Sequence, residues 1–118
     1  MNREQLTLLT QQLLDYMDSI SNTFEKVKAS KERGDFFTEV KPFADAVKEV
    51  NDEWQLLART WIKENMPKHL HEKQIESTYE QIEMLSVQAF YPDTSRTRFI
   101  NTLQSVRFIL NSLKESLN

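Results

Sequence analysis

The chain contains no cysteine, and Gly34 is the only glycine among its 118 residues. Without cysteine there is no disulfide framework, no thiolate-bound zinc or iron–sulfur cluster and no thiol nucleophile. A single glycine excludes the glycine-rich loops that hold phosphates in P-loop proteins and dinucleotides in Rossmann folds. No apolar run reaches the length of a membrane span, and residues 1–10 lack the apolar core of a signal peptide. We therefore expect a soluble, cytoplasmic protein.

The chain also has no large excess of charge of either sign, because its 15 basic and 18 acidic residues give a net charge of −3. This balance gives no electrostatic footprint for nucleic acid or for an anionic membrane, so we expect neither as a partner. A chain of this length can bury a core as one unit. We predict a single domain that spans residues 1–118.

Apolar residues return every three or four positions along almost the whole chain, which is the periodicity of amphipathic helices. The alternation typical of strands is not seen in the sequence. We predict four helices joined by short connections, which most simply form an all-α, antiparallel up-and-down four-helix bundle. The predicted helices cover about residues 3–33, 35–66 and 72–90, and about residue 94 to near the C-terminus.

The second predicted helix has the most regular apolar spacing, alternating three and four residues as in helices packed near +20°. Its Trp54 and Trp61 are interpreted as core fillers whose indole N–H groups need partners; if exposed, they would instead form a partner-binding patch. Pro42 disfavours helical angles at Lys41, which predicts a kink or a short break there. The predicted inward row is Val40, Phe43, Val47, Val50, Trp54, Leu57 and Trp61.

Several residues indicate where the helices begin and end. Gly34 is expected to supply a left-handed C-cap to the first helix, and Asp35 a side-chain oxygen that caps the next one. Pro67 prevents simple continuation of the second helix. Asp93 or Thr94 is the expected N-cap of the fourth helix.

The sequence offers little for metal binding or catalysis. Di-iron bundles need a Glu-x-x-His pair on each of two helices, and that pair is missing here. His69 and His71 are the only histidines and share one connection, which predicts loop or capping roles and leaves adventitious metal binding open. No hydroxyl has the partners of a catalytic triad, so we predict no catalytic residue, no metal and no cofactor.

In an up-and-down bundle the first and third connections lie at the same end, which we call the pole. Basic and aromatic residues from both connections meet there, beside the N-terminus of the fourth helix. One interpretation is an aromatic plug ringed by salt bridges. The alternative is a site for an anionic or phosphate-containing small ligand, because a helix N-terminus and arginines both favour anions. The candidate ligand-binding residues are Lys41, Tyr91, Arg96 and Arg98.

Short strings spread over most of the chain resemble the YppE-like family of small bacterial proteins from Gram-positive species, a domain of unknown function. The resemblance implies a single-domain four-helix bundle and implies no activity, cofactor or catalytic residue. The strings are Asp35-Phe36-Phe37, Val40-Lys41-Pro42-Phe43, Trp54, Trp61, Pro67-Lys68, His71, Gln74-Ile75-Glu76, Gln88-Ala89-Phe90-Tyr91-Pro92 and Arg98-Phe99.

The sequence is compatible with three functions, of which a metal-dependent enzyme that uses His69 and His71 ranks below the other two. The first is a non-enzymatic protein-interaction or structural module, which acts through an unknown protein partner or by self-association. The second is the binding of an anionic small ligand at the pole.

Overall fold

The computed structural model describes residues 2–118, and within them all regular structure is helical. This confirms the predicted all-α bundle. The elements are α1 (Asn2–Ser30), a π-helical turn (Phe36–Val40), α2 (Lys41–Asn65), α3 (Glu72–Gln88) and α4 (Arg96–Leu117).

The four helices form a bundle 45 Å long and 26 by 20 Å across, in which each helix packs on two neighbours. Two hydrogen bonds show that α1 and α4 run antiparallel: Arg3 Nε donates to Leu117 O at 2.8 Å, and Lys28 Nζ donates to Pro92 O at the other end. Apolar side chains from all four helices fill the space between them. Burying each large aliphatic side chain stabilises such a core by about 1.5–3 kcal/mol.

α1 ends at Ser30, three residues before the predicted end, and Gly34 does not supply its left-handed cap. Lys31 takes that conformation instead, with φ 61°, and its N–H donates to Val27 O at 2.8 Å. Gly34 is buried, has no positive φ and donates its N–H to Phe90 O at 2.9 Å. Glycine is favoured at this position because the Phe90 side chain packs directly against it, so the reason given by the sequence pattern was wrong.

Asp35 caps the following turn as predicted, since its Oδ1 accepts hydrogen bonds from Phe37 N and Thr38 N at 3.0 and 2.9 Å. The π-helical turn then runs directly into α2, and Pro42 lies in the first turn of that helix. Proline has no N–H to donate, and the helical hydrogen bonds just before it are the wide ones of the turn, from Val40 N to Asp35 O and from Lys41 N to Phe36 O. A kink or short break was predicted near Pro42. The structure has one wide π-helical turn before Pro42, followed without interruption by a regular helix.

The inward face of α2 is wider than the predicted row and is turned relative to it. Trp54 is fully buried, whereas Trp61 is only half-buried, and the fully buried set also includes the unexpected Asn51 and Ala58. α2 packs against both α1 and α3. A helix with two neighbours buries a wider face than the narrow row of a two-helix seam, so residues on either side of the predicted row are also enclosed. The remaining half-buried members of the predicted row are Phe43, Val50 and Leu57.

α4 begins one residue later than expected, because its N-cap is Ser95, whose Oγ accepts from Arg98 N at 3.4 Å. Thr94 has a different role, since its Oγ1 donates at 3.0 Å to the carbonyl oxygen of Gln88, the last residue of α3. Asp93 is exposed. The apolar stripe predicted for α4 is entirely buried, namely Phe99, Leu103, Val106, Leu110, Leu113 and Leu117.

We expect Gly34→Ala to lower the free energy of unfolding by about 1–3 kcal/mol, measured by urea denaturation. An added Cβ would lie 2.6 Å from Phe90 Cδ1 and 3.1 Å from Phe90 Cβ, and that ring is buried. Lys31→Gly is the control and should leave stability unchanged or raise it, because Lys31 already occupies a conformation that glycine tolerates better. A Gly34→Ala protein as stable as the wild type would contradict the close approach.

Candidate functional site

The first and third connections meet at the pole, as the topology predicts. Besides the bond between Gly34 and Phe90, the guanidinium of Arg33 lies 5.7 Å from the centroid of the Tyr91 ring. Such cation–π contacts stabilise by about 0.5–1 kcal/mol at exposed sites. The pole is thus one connected surface built from two loops distant in sequence.

Three aromatic rings close the bundle at this end. Phe43 packs edge-to-face against Phe90, with centroids 5.8 Å apart, and against Tyr16 on α1 at 5.7 Å. Phe36 and Phe37 lie outside this plug and are 51% and 77% exposed, with their rings edge-to-face at 5.1 Å. This plug is not the one predicted from the aromatic residues of the two connections, because Phe90 belongs to it whereas Phe36 and Phe37 of the π-helical turn face solvent. We call this pair the aromatic turn.

An open cleft of about 650 Å³ lies beside the aromatic turn; we call it the pole cleft. Its apolar lining includes Val27 and Phe90, and Glu39 of the π-helical turn stands on its rim. The aromatic turn and the cleft therefore adjoin through Glu39. The complete lining is Thr23, Lys26, Val27, Ala29, Ser30, Glu32, Arg33, Gly34, Glu39 and Phe90.

Two of the four predicted ligand-binding side chains are engaged in ion pairs. Arg96 makes a bidentate pair with Glu25, at 2.8 and 2.9 Å, and lies over the ring of Phe24. The hydrogen bonds from Arg96 hold the pKa of the Glu25 carboxyl below its usual value. Lys41 pairs with Asp45 on the next turn of α2 at 2.7 Å. These contacts reduce the charge that either cation offers to an anion.

The other two predicted residues differ in their surroundings. Tyr91 is half-buried and lies beneath Arg33, whereas Arg98 is exposed and its side chain makes no ion pair or hydrogen bond within residues 2–118. None of the four predicted residues lines the pole cleft, to which the structure brings Lys26 and Arg33 instead. Anion binding by Lys41, Tyr91, Arg96 and Arg98 stays a prediction.

A second polar cluster joins α2 to α3 on the outside of the bundle. Tyr79 donates its hydroxyl hydrogen to Asp52 Oδ1, and Lys48 Nζ donates to the same carboxylate oxygen and to Tyr79 Oη, each at 3.2 Å. Asn51 donates through Nδ2 to Tyr79 O and to Glu83 Oε2, both at 3.0 Å. Its Oδ1 is buried and accepts no hydrogen bond within residues 2–118.

The sequence pattern did not indicate this cluster, because its members lie on two helices and flank the apolar stripes. The available signal was the four-residue spacing of Lys48 with Asp52 and of Tyr79 with Glu83, which places each pair on one helix face. Asn51 within the apolar stretch of α2 was a further signal, since a buried amide needs a partner.

The pKa values in this cluster indicate a structural role. Hydrogen bonds from Tyr79 and Lys48 hold the pKa of Asp52 below its ordinary value, and the hydrogen bonds of Lys48 to Tyr79 and to Asp52 raise the pKa of Lys48. The bond to Asp52 raises the pKa of Tyr79. Each shift stabilises the ionisation state that the group already has near neutral pH. A general acid or base needs the opposite tuning, toward the working pH.

We expect Asp52→Asn to destabilise the protein by less than about 1 kcal/mol near pH 7, because the pair with Lys48 is exposed to solvent. A carboxyl whose pKa is lower in the folded state stabilises it above the unfolded pKa of about 3.9 and loses this effect as the pH falls further. The stability difference from the wild type should therefore shrink below about pH 4. Glu49→Gln removes an exposed carboxylate from the same helix and is the control for net charge. Urea denaturation at several pH values measures both variants, and a pH-independent difference for Asp52→Asn would contradict the interaction.

The two histidines lie in the connection between α2 and α3, at the end opposite the pole. Both are exposed, and His71 is the N-cap residue of α3. The backbone N–H of His71 donates to Gln74 Oε1 at 2.8 Å. In the described part of the chain, no three side chains of histidine, aspartate or glutamate come together as metal ligands. Of the helices in residues 2–118, none is both long and apolar enough to cross a lipid bilayer.

The family model of a bacterial domain of unknown function, DUF1798, matches residues 10–117. The chain belongs to this family. A relative in the family, the uncharacterised protein YppE of Bacillus subtilis (strain 168), is 26% identical over 109 residues, which cover 92% of this chain and 89% of YppE. The resemblance noted in the sequence is thereby confirmed.

Solved structures show the same fold in this family. A protein of unknown function from Listeria innocua superimposes with a TM-score of 0.93 at 25% identity, covering 98% of this chain and 93% of that protein. A DUF1798 protein from Staphylococcus aureus superimposes with a TM-score of 0.90 at 27% identity, covering 98% and 97%. The chain is therefore an all-helical bacterial protein of a family whose function is not assigned.

Proposed function

We propose that the protein is a non-enzymatic interaction module, and that it binds another protein through the aromatic turn and the pole cleft. The observation that carries this proposal is the exposure of two adjacent, contacting phenylalanine side chains, Phe36 and Phe37, beside a partly apolar cleft. Aromatic residues are enriched where protein interfaces gain most of their energy.

The aromatic turn differs from other exposed apolar residues of the bundle. Leu8, Leu56 and Phe108 are each more than 60% exposed, but they lie on three different helices. Single exposed apolar residues are common on soluble proteins, whereas contiguous ones mark binding surfaces. Met84 and Val87 are neighbours on α3 but are only 43% and 36% exposed. Phe36 and Phe37 form a contiguous pair that is aromatic and more exposed, which is why the pole is favoured over the helix faces.

Site-specific photo-crosslinking in the native host tests the proposal. A photoreactive phenylalanine analogue is placed at position 37 in one strain and at position 108 in another, since Phe108 is 69% exposed and lies on α4. We expect a discrete adduct with another protein from position 37 only, because the partner covers that side chain. The native aromatic character is retained at both sites, so the fold should be undisturbed.

Two outcomes would count against the proposal. The first is the absence of any adduct from position 37 after irradiation. The second is the same set of adducts from positions 37 and 108, which would show random collisions. An adduct with a second copy of this chain would identify the partner as the protein itself, and sedimentation equilibrium would then show a dimer that Phe37→Ser weakens.

A further inference from the structure

The pole carries two features of opposite shape on one molecule, the projecting aromatic turn and the neighbouring pole cleft. On the basis of the proposed function, we infer that the partner at the pole is a second copy of this chain, bound so that the aromatic turn of each copy enters the pole cleft of the other. Phe36 and Phe37 do not line the cleft of their own chain, and both side chains are exposed. Each copy then supplies the rings that fill the other's cleft.

The positions of the two features suit a two-fold contact. The aromatic turn and the cleft adjoin through Glu39, which belongs to the π-helical turn and also lines the cleft. A two-fold rotation about an axis between them exchanges turn and cleft, so a single placement of the two copies makes both insertions at once. Such a contact closes on itself and gives a dimer rather than a longer assembly.

The size and lining of the cleft suit the two phenyl rings. Its volume of about 650 Å³ lies within the range of clefts that hold drug-sized molecules, and its apolar lining includes Val27, Ala29 and Phe90. The rings of Phe36 and Phe37 contact each other edge-to-face, with centroids 5.1 Å apart. They therefore present one compact aromatic surface to the cleft of the other copy.

The charges of the cleft lining are balanced, which favours a copy over a partner of strong charge. Lys26 and Arg33 stand against Glu32 and Glu39. None of the four forms a salt bridge within residues 2–118. A surface of one sign repels its own copy, whereas a surface with equal numbers of both signs places cations opposite carboxylates. The lining therefore carries no net charge that opposes self-association.

The area of the contact predicts a weak, reversible dimer. Phe36 and Phe37 are 51% and 77% exposed, so their rings in both copies, together with the cleft walls that they cover, bury on the order of 1,000 Å² in total. Standard stable interfaces bury about 1,200–2,000 Å², and smaller ones are typical of weak association. The dimer should therefore dissociate on dilution.

Photo-crosslinking of the purified full chain tests the inference directly. The photoreactive phenylalanine analogue is again placed at position 37, and mass spectrometry maps the attachment site. We expect an adduct of two copies that joins position 37 of one copy to the cleft lining of the other, within residues 23–34 or at Phe90. An adduct that joins the two aromatic turns to each other, or no two-copy adduct at high protein concentration, would overturn the inference.

Sedimentation equilibrium over a wide range of concentration measures the contribution of the rings. Phe37→Ser should weaken the dimer at least about tenfold, because the ring is lost from both insertions. Phe108→Ser is the matched control, since it removes an exposed ring from α4 and should leave the dimer unchanged. Equal weakening by the two variants, or none by Phe37→Ser, would show that the aromatic turn is not the contact.

A charge exchange tests whether the surface pairs with itself. Lys26→Glu/Arg33→Glu makes the cleft lining acidic, and Glu32→Lys makes it basic. Each variant alone should dimerise more weakly than the wild type, because like charges then meet, and an equimolar mixture of the two should recover the dimer. A mixture that associates no better than either variant alone would contradict self-pairing.

The outcome for this inference is separate from that for the proposed function. A purified protein that stays monomeric, while position 37 gives an adduct with a different protein in the host, would overturn the second copy as partner and leave protein binding at the pole supported. The absence of any adduct from position 37 in the host would count against the proposed function itself.

Discussion

Asn51→Asp is expected to lower the free energy of unfolding near pH 7 by about 3–5 kcal/mol, which is the cost of leaving a buried charge without compensation. Asn51 is fully buried between α2 and α3 and donates both N–H bonds of its side chain, one of them to the Glu83 carboxylate. An aspartate there has no donor for Tyr79 O and places a second negative charge beside Glu83. Urea denaturation measures the loss.

Two comparisons isolate the charge as the cause. Asn51→Leu keeps the branched shape of the side chain and removes the unpartnered Oδ1 without adding a charge. Its larger methyl groups and the lost bonds to Tyr79 O and Glu83 should cost about 1–3 kcal/mol, less than Asn51→Asp. For Asn51→Asp, burial and the nearby Glu83 would raise the pKa of the new carboxyl. Its penalty should therefore be full near pH 7 and diminish as the pH falls through that raised pKa. Equal losses for the two variants, or a penalty constant with pH, would show that packing dominates.

Trp54→Ala is expected to lower the free energy of unfolding by about 3–5 kcal/mol, because it leaves a large cavity in a core that cannot fully close around it. Trp54 is fully buried, and its indole Nε1–H donates to Thr10 Oγ1 at 3.1 Å. Thr10 in turn donates to Leu6 O at 2.7 Å, so the indole joins α2 to the backbone of α1. Chemical denaturation followed by far-UV circular dichroism measures the loss.

Trp61→Ala is the matched control, since it deletes the same side chain seven residues further along α2, where it is only half-buried. We expect this loss to be clearly smaller than that of Trp54→Ala. Thr10→Val tests the hydrogen bond separately and should cost about 1–3 kcal/mol, because it leaves the indole N–H buried without a partner. Equal losses at the two tryptophans would mean that burial does not determine their contributions.

The parts of the fold that follow from local periodicity were predictable from the sequence. The apolar stripe of α4 from Phe99 to Leu117 is buried as its spacing predicts. Asp35 caps the π-helical turn Phe36–Val40, as its position before that turn predicts. Both features depend on residues a few positions apart. The meeting of the first and third connections was also predictable, because an up-and-down topology places them at one end.

Other features depend on distant residues and could not be read from local spacing. The inward position of Asn51 requires the Tyr79 carbonyl and the Glu83 carboxylate of α3. The sequence around Arg96 gives no sign that its charge is paired, because its partner Glu25 lies 71 residues away in the chain. Gly34 resembles an ordinary helix cap in sequence, and only the approach of Phe90 reveals its actual requirement. Helix rotation and ion-pair choice depend on tertiary packing, which local patterns do not encode.

The hydrogen bonding of the π-helical turn has a consequence for the energetics of recognition. Asp35 and Glu39 satisfy the backbone N–H groups at its start, and Lys41 N donates to Phe36 O at its end. The backbone beneath Phe36 and Phe37 is thus ordered before any encounter, and a phenylalanine has only two side-chain torsions to restrict. Association would then lose little conformational entropy at this surface, so that even a short, weakly contacting segment could be held there with useful affinity.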